Sequence, residues 1–354
     1  MIISNVRLQN GIFDILIQDG KIAEIGKFDR GDVDAKGHRL IPGLIDVHLH
    51  GFRGSDFADC EFYKIGDALL EEGTTSYVAT LMTDSVENLE KVTKSDCPKG
   101  KANFLGFHLE GPYLSLKKSG AQNKEFIKNP DLEEYSHFQN VAMITVAPEN
   151  DGALEFIKSI SDKTAVCIGH TDCDYQTAIS AIDSGANCLT HMFNVMPPML
   201  HRDPGPIGAA VEKGIYAQLI CDGNHVHKSV CLAAYRMFTS DRLILISDMI
   251  RPAGMPDGVY DSGGYDVYMR DGVARLSEGN LAGGSQSLIH IVKTAVSFGN
   301  DFYEAVKMAS ETPAKMLGVN KGVIREGYDA DLVLLDDEMN VLMTLIGGEI
   351  VYKK

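Results

Sequence analysis

The first 42 residues alternate polar and apolar positions, and Asp19-Gly20 sits between Ile15-Leu16-Ile17 and Ile22-Ala23-Glu24-Ile25. A period of two puts the apolar side chains on one face of a strand, and an Asp-Gly pair suits a tight hairpin turn. The stretch predicts a small β layer. From Leu44 the pattern changes to short apolar runs separated by segments of helical character, at 44–49, 75–81, 104–109, 142–147, 165–168, 187–189, 216–221 and 243–246. Their spacing of roughly 20 to 40 residues suits one β/α unit each, and eight such units close into a barrel with its chemistry at the strands' C-terminal ends. The fold class is therefore α/β, a (β/α)8 TIM barrel.

Alternation returns between 256 and 280 around Asp271-Gly272, which reads as a β excursion lying near the site or on the small domain. Helical patterns follow at 287–297 and 302–310, and the chain closes in strand-like segments with turns at Asp336-Asp337 and Gly347-Gly348. Residues 1–42 and 325–354 are expected to form one composite β-sandwich domain, and 43–324 the barrel. No repeat beyond the β/α rhythm and no low-complexity linker interrupts the sequence, so the small domain should dock firmly.

The stretch 164–198 shows what the strand ends carry. Ala165-Val166-Cys167-Ile168 stops at Gly169-His170, and Cys188-Leu189 stops at Thr190-His191, with a helical segment between. Two strands joined by one crossover helix run parallel, so both histidines emerge at one sheet edge. That edge is filled elsewhere too: His48 and His50 end the first run, Glu110 the third, Asp222 with His225 the seventh, and Asp248 the eighth. A single histidine after a strand is usually a structural, hydrogen-bonded residue; this many on one edge calls for another explanation.

Imidazoles with a carboxylate are a set that zinc and iron accept while keeping a position open for water, and Glu110, His170 and His191 fit it. Asp248 is the candidate to carry a proton from that water to a leaving group. His48 and His50 share one face of their strand, so both can reach inward. They could hold a second ion bridged by Glu110, or only hydrogen-bond water or substrate. Turn-rich loops at 196–205 and 222–225 contribute Arg202 and His225, donors suited to a phosphate.

Composition narrows the partners. A net charge of −16 argues against general binding to nucleic acid or anionic membranes. Seven cysteines without a C-x-x-C pair, several inside apolar runs, read as buried thiols of a reducing compartment. The N-terminus lacks a signal-peptide pattern, and no run approaches 18 apolar residues. The expectation is a cytoplasmic protein.

The segments PGLIDVHLHG, HLEGPYL, GHTD, THMFNVMPP, HRDPG, DGNHVH, LAGGS and TPAKMLG, with GVIREGYDADLVLLD, together resemble the N-acetylglucosamine-6-phosphate deacetylase family of the amidohydrolase superfamily, in order and over nearly the whole chain. PG-x-ID-x-H-x-H and ADLV mark only the superfamily; HLEGP, TH-x-x-N-x-MPP and DG-x-H are more specific. The resemblance implies a divalent metal, zinc or iron, in one or two ions per subunit, held by Glu110, His170 and His191, with His48 and His50 present as in the two-ion members. It implies Asp248 as acid/base, and substrate contacts at Ala121, Gln122, Asn194, Val195, Arg202, Asp222, Gly223, Asn224, His225, Ala282, Gly283 and Gly284. It implies a homodimer in which the phosphate-binding arginine reaches the neighbour's site.

Three positions depart from the family's pattern: Gln122 stands where histidine is common, Val195 where alanine is common, and Gly284 precedes Ser285 in place of LAGS. They bear on substrate preference, glucosamine against galactosamine. In a dihydroorotase-like enzyme a bridging lysine normally ends the fourth strand, and 142–147 has none. A barrel that had become a binding protein would be expected to have lost a ligand or the acid/base, and all four are intact.

Overall fold

The computed structural model describes residues 1–96 and 100–354. Eight parallel strands make the central sheet, in chain order Leu44–Leu49, Thr74–Met82, Asn103–Glu110, Val141–Val146, Ala165–Ile168, Cys188–Leu189, Tyr216–Leu219 and Leu243–Leu245. They read as nearly continuous apolar runs because side chains on both faces are covered, by the barrel interior on one side and by helices on the other. Helix Ala153–Ile160 shows the outer layer: it buries Ala153, Phe156, Ile157 and Ile160 at the three-and-four spacing of one helical face. The crossover between the two histidine-ending strands is the helix Tyr175–Asp183, begun by the Asp174 side chain accepting from Thr177 N–H.

The first and last strands meet at the C-terminal end. Asp248 N–H donates to His48 C=O at 2.9 Å and His50 N–H to Met249 C=O at 2.7 Å. The backbone carrying His48, His50 and Asp248 is thus one hydrogen-bonded seam.

The excursion is a three-stranded antiparallel sheet, Gly258–Ser262, Tyr265–Arg270 and Val273–Leu276. Its last strand continues onto the segment after it, where Arg275 bridges Leu281 and Ala282 N–H donates to Ala274 C=O at 3.1 Å. This sheet therefore sits beside the site. The helices expected at 287–297 and 302–310 are Leu288–Phe298 and Phe302–Met308; a further helix, Glu311–Leu317, follows at once.

Strands from both chain ends join one eight-stranded sheet, the closing strand Leu332–Leu335 pairing antiparallel with Arg39–Pro42. Inward residues such as Ile3, Ile15, Ile22, Leu40, Leu332 and Leu345 form a core of their own. Docking to the barrel uses Thr344 Oγ1 donating to Leu70 C=O at 2.7 Å and Asn103 Nδ2 donating to Asp331 at 2.9 Å. Of the cysteines, Cys167, Cys173, Cys188, Cys221 and Cys231 are buried free thiols and Cys60 is partly exposed; Cys97 lies outside the described residues.

Candidate metal centre and substrate cavity

Three of the strand-end residues leave their strands through left-handed backbone: His170 at φ 46°, His191 at φ 25° and Asp248 at φ 50°. Such angles cost energy in non-glycine residues, least for Asn, Asp and His, and here each turns the chain sharply at the sheet edge. His170 Nε2 and His191 Nε2 lie 3.1 Å apart, and 3.2 and 2.9 Å from Glu110 Oε1.

Hydrogen bonds on the far sides of the rings decide what those nitrogens carry. His170 Nδ1 is 3.0 Å from the Lys118 carbonyl, which can only accept, so Nδ1 carries a proton and, in the neutral ring, Nε2 presents a lone pair. Gln218 does the same for His48. Its Oε1 is identified by accepting the His191 backbone N–H at 3.3 Å, so His48 Nδ1, 2.9 Å away, must be the donor. His48 Nε2, fully buried, is left without a hydrogen-bond partner. Neutral imidazoles turning lone pairs toward a carboxylate at such distances need positive charge among them, supplied by protons on the rings or by a metal ion. Ligand atoms of a tetrahedral zinc site stand about 3.3 Å apart, given bonds near 2.0 to 2.1 Å. The residues fit a divalent metal.

A second group faces the first across Glu110. His48 Nε2 is 3.3 Å from Glu110 Oε1 and 3.4 Å from Asp248 Oδ1; His50 Nε2 is 3.4 Å from both Glu110 Oε2 and Asp248 Oδ1. Ligand atoms of His48, His50 and Asp248 lie within 4.8 Å of one another, as do those of Glu110, His170 and His191. Burial alone would neutralise the carboxylates, yet the facing imidazoles hold Glu110 well below its ordinary value and Asp248 below its own. Burial likewise works against charge on His50, but Asp248 and Glu110 outweigh it and push that imidazole up to about 10. The cluster draws positive charge.

A cavity of about 110 Å³ opens over this centre. His50, Glu110, Ala121, Gln122, His170, His191, Asn194, Val195, His225, Asp248, Ala282 and Gly283 line it. His48 lies below, between Glu110 and Asp248. Asp222 supports rather than lines: it accepts His225 Nδ1–H at 2.7 Å and the backbone N–H groups of Asn224 and His225 at 2.8 Å. Gly223 and Asn224 form that turn. Gly284 is also off the cavity wall, and its lack of a side chain has a steric reason, since a Cβ would stand 1.9 Å from Ser247 C=O. Arg202 is exposed, its guanidinium 2.8 Å from His201 Nε2, and no Lys or Arg is among the described residues that line the cavity.

Sequence reasoning missed the layer beneath. His108 lies two residues before Glu110 on the same strand face, and burial keeps it neutral, its value well below the ordinary one. Its Nε2 bonds Thr145 Oγ1, which bonds Thr190 Oγ1, each at 2.8 Å. Met82, Ile220, Ile250 and Leu281 supply apolar wall.

The model of the amidohydrolase family matches residues 39–351. The chain belongs to the amidohydrolase family. Among curated relatives, the amidohydrolase is 35% identical over 376 residues to the N-acetylglucosamine-6-phosphate deacetylase of Lysinibacillus sphaericus, covering 99% of this chain and 97% of the relative. It is 33% identical to the N-acetylgalactosamine-6-phosphate deacetylase of Escherichia coli O157:H7, covering 94% and 93%. Among solved structures, the N-acetylglucosamine-6-phosphate deacetylase of Thermotoga maritima superposes with a TM-score of 0.92 at 31% identity, covering the whole of both chains. No helix among the described residues is long and apolar enough to cross a membrane.

Proposed function

We propose that this amidohydrolase removes acetate from N-acetyl-D-glucosamine 6-phosphate, giving D-glucosamine 6-phosphate, in amino-sugar catabolism. The observation that carries the reading is Glu110 grouped with His170 and His191 and facing His48 and His50 of a second group that could hold an ion, in a chain similar from end to end to deacetylases of that substrate class. His48, His50 and Asp248 would hold one divalent ion and His170 and His191 the other, with Glu110 between, zinc or iron suiting the nitrogen-rich set. A bound ion supplies Lewis acidity, polarising a carbonyl and lowering the pKa of water.

Asp248 carries the proton. Its ionised carboxylate faces the cavity, so it can take a proton from the water that adds to the acetyl carbon and return it to the amine nitrogen as the C–N bond breaks. Ala121, Gln122, Asn194, Val195, Ala282 and Gly283 would shape the space around the sugar and acetyl group. Asp222, Gly223 and Asn224 would set the His225 loop, and Gly284 would let the 281–284 segment close on the last strand.

The phosphate needs cations that this cavity wall lacks apart from histidine. His225 would be one. Arg202, exposed on its own subunit, would serve the second active site of a homodimer, where Arg202 of the partner subunit completes the phosphate pocket. The buried free thiols support a reducing, cytoplasmic setting.

His225 gives a pH prediction. Burial opposes its charge, but the hydrogen bond and charge of Asp222 prevail and raise its pKa above the ordinary value near 6.5. Phosphate affinity is then present below the raised value and lost as pH rises through it. Between about pH 6 and 9, KM for the 6-phosphate should climb at the alkaline end, and His225→Gln should flatten that limb. An unchanged limb in the variant would remove His225 from phosphate binding. The substrate reading itself is tested by kcat/KM for N-acetylglucosamine with and without the 6-phosphate and for the galactosamine epimer. Preference for the unphosphorylated sugar would defeat it, and preference for the epimer would move the activity to that of the Escherichia coli relative.

A further inference from the structure

Gln122 is 3% exposed and both ends of its amide are committed. Oε1 accepts the Thr83 backbone N–H at 2.7 Å, and Nε2 donates to Glu110 Oε2 at 2.6 Å. A backbone N–H meets only an acceptor and a carboxylate only a donor, so a flipped amide would lose both bonds. Thr83 grips Glu110 from the other side, its Oγ1 donating to the Glu110 carbonyl at 3.0 Å. Gly111 permits this approach, because a Cβ there would stand 2.1 Å from that oxygen. Glu110 is therefore held at its main chain and at its carboxylate by one loop of contacts closed through Thr83 and Gln122.

The two carboxylate oxygens are left unlike. Oε1 faces His48, His170 and His191, whereas Oε2 faces His50 and the Gln122 amide. We propose that Gln122 is a positioning residue that fixes Glu110 Oε2 toward the His48, His50 and Asp248 ion, and so sets how tightly that second ion binds. A carboxylate that must serve two ions has to keep one torsion, and an interior site offers it little water to hold it there. Without the amide, Glu110 is free to turn both oxygens toward His170 and His191, which leaves the second ion one ligand short. A neutral amide achieves this without adding positive charge to a centre that must accept two dications. The inference rests on the two-ion reading above.

The test is calorimetric titration of chelator-stripped full-length protein with Zn²⁺ alone. Wild type should take two ions. Gln122→Met, similar in length but without a donor, should bind the first ion as wild type does and the second about 10- to 100-fold more weakly, the usual effect of losing a residue that orients a ligand. Gln122→His, which restores an N–H donor, should recover most of that loss. Melting of the stripped proteins checks folding; if the Met variant does not fold, Gln122→Asn, one methylene too short to span from Thr83 to Glu110, should show the same weakening. A Met or Asn variant that binds the second ion with wild-type affinity overturns the proposal, even if kcat falls, because Gln122 would then act on substrate alone. A wild type that takes a single ion is a different result: it refutes the two-ion reading and the proposal with it.

Discussion

Asp248→Asn is expected to lower kcat by roughly 10²- to 10⁴-fold, the range for loss of a general acid–base group, when assayed with metal in excess. The substitution is close to isosteric, and asparagine tolerates the left-handed backbone that Asp248 adopts at φ 50°, so the seam between the first and last strands should survive. An amide oxygen can still face His48 and His50 from 3.4 Å. What disappears is the negative charge that accepts a proton. KM should therefore change much less than kcat. Steady-state kinetics beside a metal assay will show it; a loss below about tenfold, roughly 1.4 kcal/mol of barrier, would take Asp248 out of the mechanism.

His191→Ala should remove metal and activity together, with turnover falling by more than about 10³-fold, several kcal/mol of transition-state stabilisation. His191 Nε2 is the imidazole nitrogen nearest Glu110 Oε1, at 2.9 Å, and also faces His170 Nε2 at 3.1 Å. Alanine leaves that ion two protein ligands, Glu110 and His170. Metal content after dialysis, read beside turnover, is the check. Full occupancy with normal turnover would end the assignment of Glu110, His170 and His191 as a ligand set.

The strand-end cluster was legible because strand ends can be read from apolar runs that stop abruptly. His170 and His191 each stand one residue beyond such a run, after Gly169 and Thr190, and the period of two put His48 and His50 on one inward face. The excursion at 256–280 was legible as β structure, though its place beside the site depended on the pairing of Arg275 with Leu281, a contact that alternation does not encode. Gln218 was missed, although a glutamine inside Tyr216–Leu219 is a polar residue in a buried strand, which is itself a signal. Its role as the partner of His48 is a relation between the seventh strand and the first.

Gln122 was read from its neighbours in sequence as a substrate contact, and its two partners, Thr83 and Glu110, come from elsewhere in the chain. The left-handed turns at His170, His191 and Asp248 were equally hidden, since residue type permits such angles without requiring them. Gly284 appeared as a departure bearing on substrate preference, and its steric reason became visible only once Ser247 lay against it.

The most direct measurement is acetate release from N-acetylglucosamine 6-phosphate by three preparations of the one protein: as purified, stripped of metal by chelation, and reconstituted with Zn²⁺ or Fe²⁺. The account predicts turnover as purified, loss on stripping and recovery on reconstitution. Turnover that survives complete removal of metal, or a reconstituted protein that releases no acetate from this substrate, would contradict it.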